Sequence, residues 1–129
     1  FQTNYYGTPR SFVEEQLSRG IDVILEIDVQ GAMKVKKAFP NAVMIFIAPP
    51  SMAELKSRLI GRNTETLEQI EKRFATAEKE IAMLPEYEYV VTNDVVEMAV
   101  NRMEAIITAE KCKVSRSNAL LAKLQGGIK

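Results

Sequence analysis

The chain has 129 residues, 47% of them apolar and 26% charged, which is the composition of one globular domain. Its 17 basic and 17 acidic side chains cancel, which argues against general binding to nucleic acid, and no apolar stretch approaches the roughly 20 residues of a membrane span. There is no histidine and one cysteine, which excludes histidine-activated nucleophiles and an intramolecular disulfide. The remaining chemistry depends on carboxylates, cations, hydroxyl groups or backbone amides.

Continuous apolar runs alternate along the chain with segments of helical periodicity. The runs predict strands of a parallel sheet at residues 21–29, 43–48 and 89–91. Helices are predicted over residues 9–19, 30–39, 52–60, 67–84 and 95–112, and the tail over residues 115–129 is predicted to be weakly helical at best. This alternation predicts an α/β fold with right-handed crossovers.

Two of the predicted helices begin with a capping box, in which a hydroxyl residue and the residue three positions later each bond to the other's backbone amide. Ser51 and Glu54 form one such pair, and Thr66 and Gln69 form the other. Each box predicts a helix that begins directly after its hydroxyl residue.

Ligands of parallel α/β sheets bind beyond the carboxyl ends of the strands. In this chain that rule directs attention to residues 26–31, 48–51 and 92–94. Glu26 and Asp28 are two apart on the first predicted strand, so they should point to the same side. Because buried carboxylates need partners, they indicate either a structural ion pair or a nearby polar ligand or Mg²⁺.

Arginines and hydroxyl groups supply candidate anion ligands. Arg58 and Arg62 are four apart and face the same way, and Arg73 flanks the apolar stripe of the next helix, although all could be solvated surface charges. Residues 4–9 place hydroxyl groups before a helix N-terminus, which suits either an anion or an ordinary turn. Anion-binding groups without a side-chain nucleophile fit phosphoryl transfer.

Six short motifs occur in the order and spacing of a known family. They are N-Y-Y-G-T-P, L-E-I-D-V-Q-G-A, F-I-A-P-P-S, R-L-I-G-R-N-T-E, K-R-F and V-V-T-N-D. With them the chain resembles the guanylate kinase family in its bacterial form, over about residues 4–112. The resemblance implies the parallel-sheet P-loop nucleoside monophosphate kinase fold with a helical lid. It also implies transfer of a phosphoryl group from Mg-ATP to GMP, giving ADP and GDP, in the cytoplasm.

The resemblance implies a GMP-binding group near the beginning of the chain. Tyr6 would donate its hydroxyl to the GMP phosphate, and Thr8 would contact the guanine edge. Glu26 and Asp28 would lie between the GMP and Mg²⁺ regions, which gives both carboxylates partners.

It also implies catalytic and ATP-binding residues further along the chain. Arg62 and Arg73 match lid arginines that neutralise charge on the transferring phosphoryl group, and Arg58 would assist them. Asn93 and Asp94 would line the adenine side of the ATP pocket. Mg²⁺ would enter with ATP, and no residue is assigned as its direct ligand.

One family motif is absent from the sequence. No segment has the form G-x-x-G-x-G-K-[ST], the loop whose amides cradle ATP phosphates, and the chain begins with Phe1 rather than Met. We therefore expect an incomplete fold that lacks the first strand and phosphate loop and is inactive alone. An open sheet edge could promote self-association.

The resemblance divides the chain into five regions. These are the remainder of the GMP-binding region (1–20), core strands and a helix (21–50), a mobile lid (51–84), a core strand with the carboxyl-terminal helix (85–114) and a tail (115–129). Two alternatives stay open, a non-catalytic guanylate-kinase-like module that binds peptides and a nucleoside monophosphate kinase of other specificity. The lid arginines and the carboxylate pair favour an enzyme.

Overall fold

The structure is a computed structural model that describes residues 10–61 and 65–128. Its helices and strands follow in chain order. They are α1 (Arg10–Ser18), α2 (Val29–Ala38), β1 (Ile45–Ala48), α3 (Met52–Gly61), α4 (Leu67–Ala82), β2 (Tyr89–Thr92), α5 (Val96–Lys111) and α6 (Asn118–Ile128). Short 3-10 turns at Leu84–Glu86 and Val114–Arg116 precede β2 and α6. The five helices predicted from periodicity are confirmed, with ends that agree to within two residues.

Local chemistry explains where the helices begin and end. At α4 the capping box is complete, since Gln69 N–H donates to Thr66 Oγ1 at 3.2 Å and Thr66 N–H donates to Gln69 Oε1 at 2.9 Å. Helix α2 begins after Asp28, whose side chain accepts a hydrogen bond from Gly31 N–H. It ends at Ala38 with Phe39 as its C-cap, because the next residue is Pro40, which has no N–H to continue the helix.

The strands β1 and β2 form a two-stranded sheet. Tyr89 N–H donates to Met44 O at 3.1 Å, and Asn93 N–H donates to Ala48 O at 2.7 Å. Both strands therefore advance in the same direction, which makes the pair parallel. Helices α3 and α4 lie between the two strands in the sequence. The second and third predicted strands and the α/β class are confirmed.

The first predicted strand is wrong, because residues 21–28 form neither a strand nor a helix. The side chains still alternate as in an extended segment: Val23, Leu25 and Ile27 are half-buried, whereas Ile24 is 71% exposed. A strand also requires a hydrogen-bonded neighbour, and the sheet in the described ranges contains β1 and β2 alone. Apolar composition predicts the extended run but cannot supply its neighbour.

The tail is more helical than predicted, since α6 runs for 11 residues. Its first turn is tied by Leu121 N–H, which donates to Ser117 O at 2.9 Å. Residues 119–124 are rich in Ala and Leu, the best helix formers, and this outweighs the pair Gly126 and Gly127, each of which costs about 1 kcal/mol relative to Ala. The described side chains of α6 are all exposed.

The described residues divide into two compact units. The first comprises the residues up to Phe46 together with Glu71–Tyr89, and the second comprises Ile47–Ile70 together with the residues from Val90 onward. The first unit buries five apolar side chains, Val13, Ala32, Val35, Met44 and Phe46. The second unit buries Ile70, Val91 and Ala99, and also the carboxylate of Glu110.

Helix α5 ends in a cluster of charge around a buried carboxylate. Glu110 is 5% exposed, and its two oxygens contact Lys113 Nζ at 3.0 Å and Arg116 Nε at 3.3 Å. The pairs satisfy a carboxylate that would otherwise be costly to bury. They also join α5 to the 3-10 turn that precedes α6. The neighbouring Cys112 caps α5 and carries an exposed free thiol.

Within the described ranges, no helix combines the length and apolarity that are needed to cross a bilayer.

Candidate functional site

Asp28 and Glu26 lie in the first unit, directly before α2. Both carboxylates are exposed, so the expectation that they are buried is wrong. The reason is the alternation of this segment, in which Ile27 takes the half-buried side and both carboxylates take the other. The prediction that they share one side agrees with this pattern.

Asp28 also has a structural task that explains its orientation. Its Oδ1 accepts a hydrogen bond from Gly31 N–H at 2.8 Å, which makes it the N-cap of α2. The positive end of the helix dipole favours a carboxylate at this position. The capping bond therefore holds the Asp28 carboxylate in a fixed orientation at the end of the extended run. A carboxylate held in this way can interact with a cation or with a ligand that donates hydrogen bonds.

Tyr87 is a neighbour of this carboxylate that sequence reasoning missed. Its ring packs edge-on against Phe46, with centroids 5.0 Å apart and an interplanar angle of 87°. Burial raises the pKa of its hydroxyl above the ordinary 10.0, and the negative charges of Glu80 and Asp28 raise it further. A tyrosine two residues before a strand is too common a pattern to have revealed this environment.

Arg73 lies on α4 in the first unit, where its side chain is exposed. The following residue, Phe74, is half-buried. Arg73 therefore flanks the apolar stripe, as the spacing predicts, and its guanidinium reaches solvent.

The structure brings two of the predicted site residues, Arg58 and Asn93, into contact. Both belong to the second unit. Arg58 Nη1 donates to the main-chain oxygen of Asn93 at 2.8 Å, while Arg58 Nε contacts Glu54 Oε1 at 3.2 Å. The half-buried guanidinium is thus held on two edges, by the helix that carries it and by the loop after β2.

A cavity of about 240 Å³ adjoins this guanidinium. Its lining is mostly apolar and lies at the carboxyl ends of β1 and β2, as the rule for parallel sheets predicts. The lining residues are Ile47, Ala48, Pro49, Leu55, Arg58, Leu59 and Asn93. The volume is below the range of about 300–1,000 Å³ for pockets that enclose a whole ligand. It therefore suits an apolar portion of a ligand whose polar group reaches Arg58.

The other predicted site residues are less informative. Asp94 is exposed in the loop between β2 and α5. Tyr6, Thr8 and Arg62 lie outside the described residues. Across residues 10–61 and 65–128, no three His, Cys, Asp or Glu side chains are grouped so that they could hold a metal ion.

Glu54 is the contact of Arg58 that sequence reasoning did not select. The signal was present, because Glu54 and Arg58 are four apart on one helix, the spacing at which side chains meet. The apolar wall formed by Leu55 and Leu59 has the same periodicity.

These features together define an α/β protein in which an arginine lies beside a mostly apolar cavity at the carboxyl edge of a parallel sheet. Comparison with known proteins refines that class. A family model described as guanylate kinase matches residues 1–110. The chain belongs to the guanylate kinase family, and the resemblance drawn from the six motifs is confirmed.

Individual relatives agree with the family match. The chain is 58% identical over 113 residues to a guanylate kinase of Halalkalibacterium halodurans, covering 88% of this chain and 55% of that protein. It is 56% identical over 128 residues to a guanylate kinase of Bacillus cereus, covering 99% and 62%. The chain thus spans less than two thirds of the length of these curated relatives.

A solved structure extends the agreement to the fold. The crystal structure of guanylate kinase from Anaplasma phagocytophilum matches with a TM-score of 0.69 and 34% sequence identity. The match covers 84% of this chain and 50% of that one. The fold class predicted from the sequence, an incomplete nucleoside monophosphate kinase fold, is confirmed.

Proposed function

We propose that this chain supplies part of a guanylate kinase, which transfers a phosphoryl group from ATP to GMP and yields ADP and GDP. The observation that carries the proposal is the guanidinium of Arg58, held against Asn93 O at 2.8 Å beside an apolar cavity, in a chain of this family. An apolar slot with an adjacent cation suits a nucleotide, which combines a flat ring with an anionic phosphate chain.

In the proposed reaction, the bond between the γ-phosphorus of ATP and its bridging oxygen breaks as a phosphate oxygen of GMP bonds to that phosphorus. Little covalent chemistry is required of the protein, so positioning and neutralisation of charge supply the catalysis. We assign that neutralisation to Arg62 and Arg73, with Arg58 assisting.

The GMP side of the proposal rests on four residues. Tyr6 donates to the GMP phosphate, Thr8 contacts the guanine edge, and Glu26 and Asp28 complete the group. The N-cap contact of Asp28 supports its part, because a carboxylate held at 2.8 Å by Gly31 N–H is already oriented before a ligand arrives.

The ATP side rests on Asn93 and Asp94, which follow β2. We propose that Asn93 borders the adenine at the cavity and that Asp94 lines the same pocket. Two observations on Asn93 support this part. Its main-chain carbonyl accepts a hydrogen bond from Arg58, and the residue lines the cavity.

Mg²⁺ is expected with ATP. Exposed carboxylates such as Glu26 and Asp28 have the oxygen donors that Mg²⁺ prefers, but the described residues hold no cluster of three such ligands. We propose that Mg²⁺ enters bound to the ATP phosphates, as is usual for this ion at phosphoryl-transfer sites, and we assign it no direct protein ligand. When bound, it would neutralise phosphate charge. A cytoplasmic location, where both nucleotides are found, belongs to the same proposal.

We further propose that the chain is inactive alone, because it contains no G-x-x-G-x-G-K-[ST] segment to cradle ATP phosphates. A coupled assay of the purified chain with ATP and GMP tests this. Turnover far below the usual ~1–100 s⁻¹ of kinases is expected, and turnover within that range would contradict the proposal of inactivity.

Nucleotide binding tests the proposed function itself. The purified chain is labelled with ¹⁵N and titrated separately with Mg-ATP and with GMP, and its backbone amide signals are followed by NMR. Mg-ATP should shift signals of Asn93 and Ala48, and GMP should shift signals of residues 26–31. Failure of both nucleotides to shift these signals at millimolar concentration would contradict the assignment of both sites.

A further inference from the structure

We infer that Glu54 is a positioning residue for nucleotide binding, because it sets the orientation of the Arg58 guanidinium. The inference rests on the proposed function, in which Arg58 faces the phosphates of ATP. Glu54 itself is not among the residues that line the cavity. Its role would therefore be exerted through Arg58.

The geometry supports this role. A guanidinium is planar and has five N–H bonds in a fixed fork. Arg58 uses its Nε edge toward Glu54 Oε1 at 3.2 Å and one Nη1 hydrogen toward Asn93 O at 2.8 Å. Two contacts at different edges fix both the position and the rotation of the plane. The remaining N–H bonds are then presented in a defined direction at the cavity that Arg58 lines.

The capping box of α3 shows which partner the Glu54 carboxylate takes. Ser51 and Glu54 have the sequence of a complete box, and Glu54 N–H does donate to Ser51 Oγ at 3.0 Å. In the matching box of α4, the partner side chain returns the bond, since Gln69 Oε1 accepts from Thr66 N–H. The Glu54 carboxylate instead contacts Arg58.

The Glu54 carboxylate therefore serves the i,i+4 pair with Arg58 rather than the capping bond to Ser51 N–H. The Arg58 and Glu54 side chains are 38% and 49% exposed, so the contact is accessible to solvent and its energy alone is small. The contact matters because it orients the plane of the Arg58 guanidinium. A guanidinium held on one edge alone could rotate away from a phosphate, whereas the second contact restricts this rotation.

The test compares Glu54→Ala with a matched control, Glu15→Ala. Glu15, on α1 in the first unit, forms an ion pair of the same i,i+4 type with Arg19, the residue directly after the helix, at 3.0 Å. Glu54→Gln is a further variant that keeps the length of the side chain and removes its charge. The first measurement is the ¹⁵N chemical shift and hydrogen-exchange rate of Arg58 Nε–H, which report directly on its hydrogen bond.

We expect Glu54→Ala to accelerate exchange at Arg58 Nε–H by about two- to fivefold, the range set by loss of one solvent-accessible ion pair. Glu54→Gln should have a smaller effect, and Glu15→Ala should have none. An unchanged shift and exchange rate in both Glu54 variants would overturn the inference. Since Glu54→Gln preserves the side-chain shape, it decides the matter even if Glu54→Ala unfolds.

The second measurement is the affinity of each variant for Mg-ATP, from the NMR titration. A loss of about two- to fivefold in Glu54→Ala, with thermal unfolding like that of the control, supports positioning. Unchanged affinity despite faster Nε–H exchange would overturn the link to nucleotide binding. If the unsubstituted chain binds no Mg-ATP, the proposed function of this site fails, whereas the Nε–H result still establishes or refutes the orientation of Arg58 by Glu54.

Discussion

Arg58 Nη1 and the main-chain oxygen of Asn93 lie 2.8 Å apart, although 35 residues separate them in the sequence. The bond joins α3 to the loop after β2 within the second unit. Because the acceptor is a backbone carbonyl, the contact depends on the path of the chain at Asn93 rather than on its side chain. The contact joins a predicted catalytic residue to a predicted ATP-binding residue.

Replacing Arg58 with lysine should weaken this junction while keeping the charge. Lysine has no fork of N–H bonds, so it cannot satisfy Glu54 and Asn93 with the same geometry. We expect a loss of about 1 kcal/mol in the free energy of unfolding, measured by urea denaturation. Amide exchange in the loop after β2 should also accelerate. Equal stability and equal exchange in R58K would show that charge alone suffices.

Asp28 should respond differently to two substitutions. Asp28→Ala removes the N-cap of α2 and should cost about 1 kcal/mol of stability in urea denaturation. Asp28→Asn keeps a capping oxygen, so it should fold with nearly unchanged stability. If the carboxylate also serves the proposed GMP site, Asp28→Asn should still weaken the GMP-induced NMR shifts. Equal losses of stability in the two variants would refute the capping role.

Glu110 should stabilise the junction between α5 and α6. Glu110→Ala removes both ion pairs, and we expect a loss of about 1–3 kcal/mol in the free energy of unfolding, with faster amide exchange in α6. The loss is limited because Lys113 and Arg116 are 49% and 34% exposed and can turn to water. As controls, Lys113→Ala and Arg116→Ala should each cost less than about 1 kcal/mol. Unaltered exchange in α6 would contradict this account.

Tyr87 predicts a pH dependence in the alkaline range. Its folded-state pKa lies above the ordinary 10.0, first because of burial and then because of Glu80 and Asp28. Folding therefore favours the neutral phenol of Tyr87. Its contribution to the free energy of unfolding is fully present below pH 10 and is lost as the pH rises through the folded-state pKa. Ultraviolet absorbance titration of the chain and of Tyr87→Phe isolates this group. A Tyr87 midpoint at or below the ordinary value would contradict its environment.

Asp28→Asn offers a control for the same titration. It removes one of the two negative charges that act on Tyr87, so the midpoint of the tyrosine should move toward its ordinary value. Burial remains in this variant, and the return should therefore be incomplete.

Local patterns predicted much of the fold. The capping box at Thr66 and its apolar stripe located α4, and the apolar run before the Pro49–Pro50 pair located β1. The pairing of one strand with another depends on residues far apart in the sequence. Residues 21–28 therefore have the composition of a strand without hydrogen bonds to a neighbouring strand. The exposure of Asp28 depends equally on which segments pack beside it. Sequence can indicate that a carboxylate needs a partner, but not whether a neighbour covers it.

The site follows the same division. The spacing of Glu54 and Arg58 made their contact predictable, whereas the bond from Arg58 to Asn93 O requires the parallel pairing of β1 with β2. The strand ends indicated the edge of the sheet at which the cavity lies. The apolar wall of the cavity could not be predicted in the same way, because it depends on how helix α3 packs.

The exposed thiol of Cys112 has a practical consequence for studies of assembly. As the sole cysteine, it can form a disulfide only with another molecule, so air oxidation would join two copies covalently through the ends of their α5 helices. Such a dimer would imitate association through an open sheet edge. Ultracentrifugation with and without reductant separates the two, and the same thiol offers a single defined attachment point for a fluorescent label.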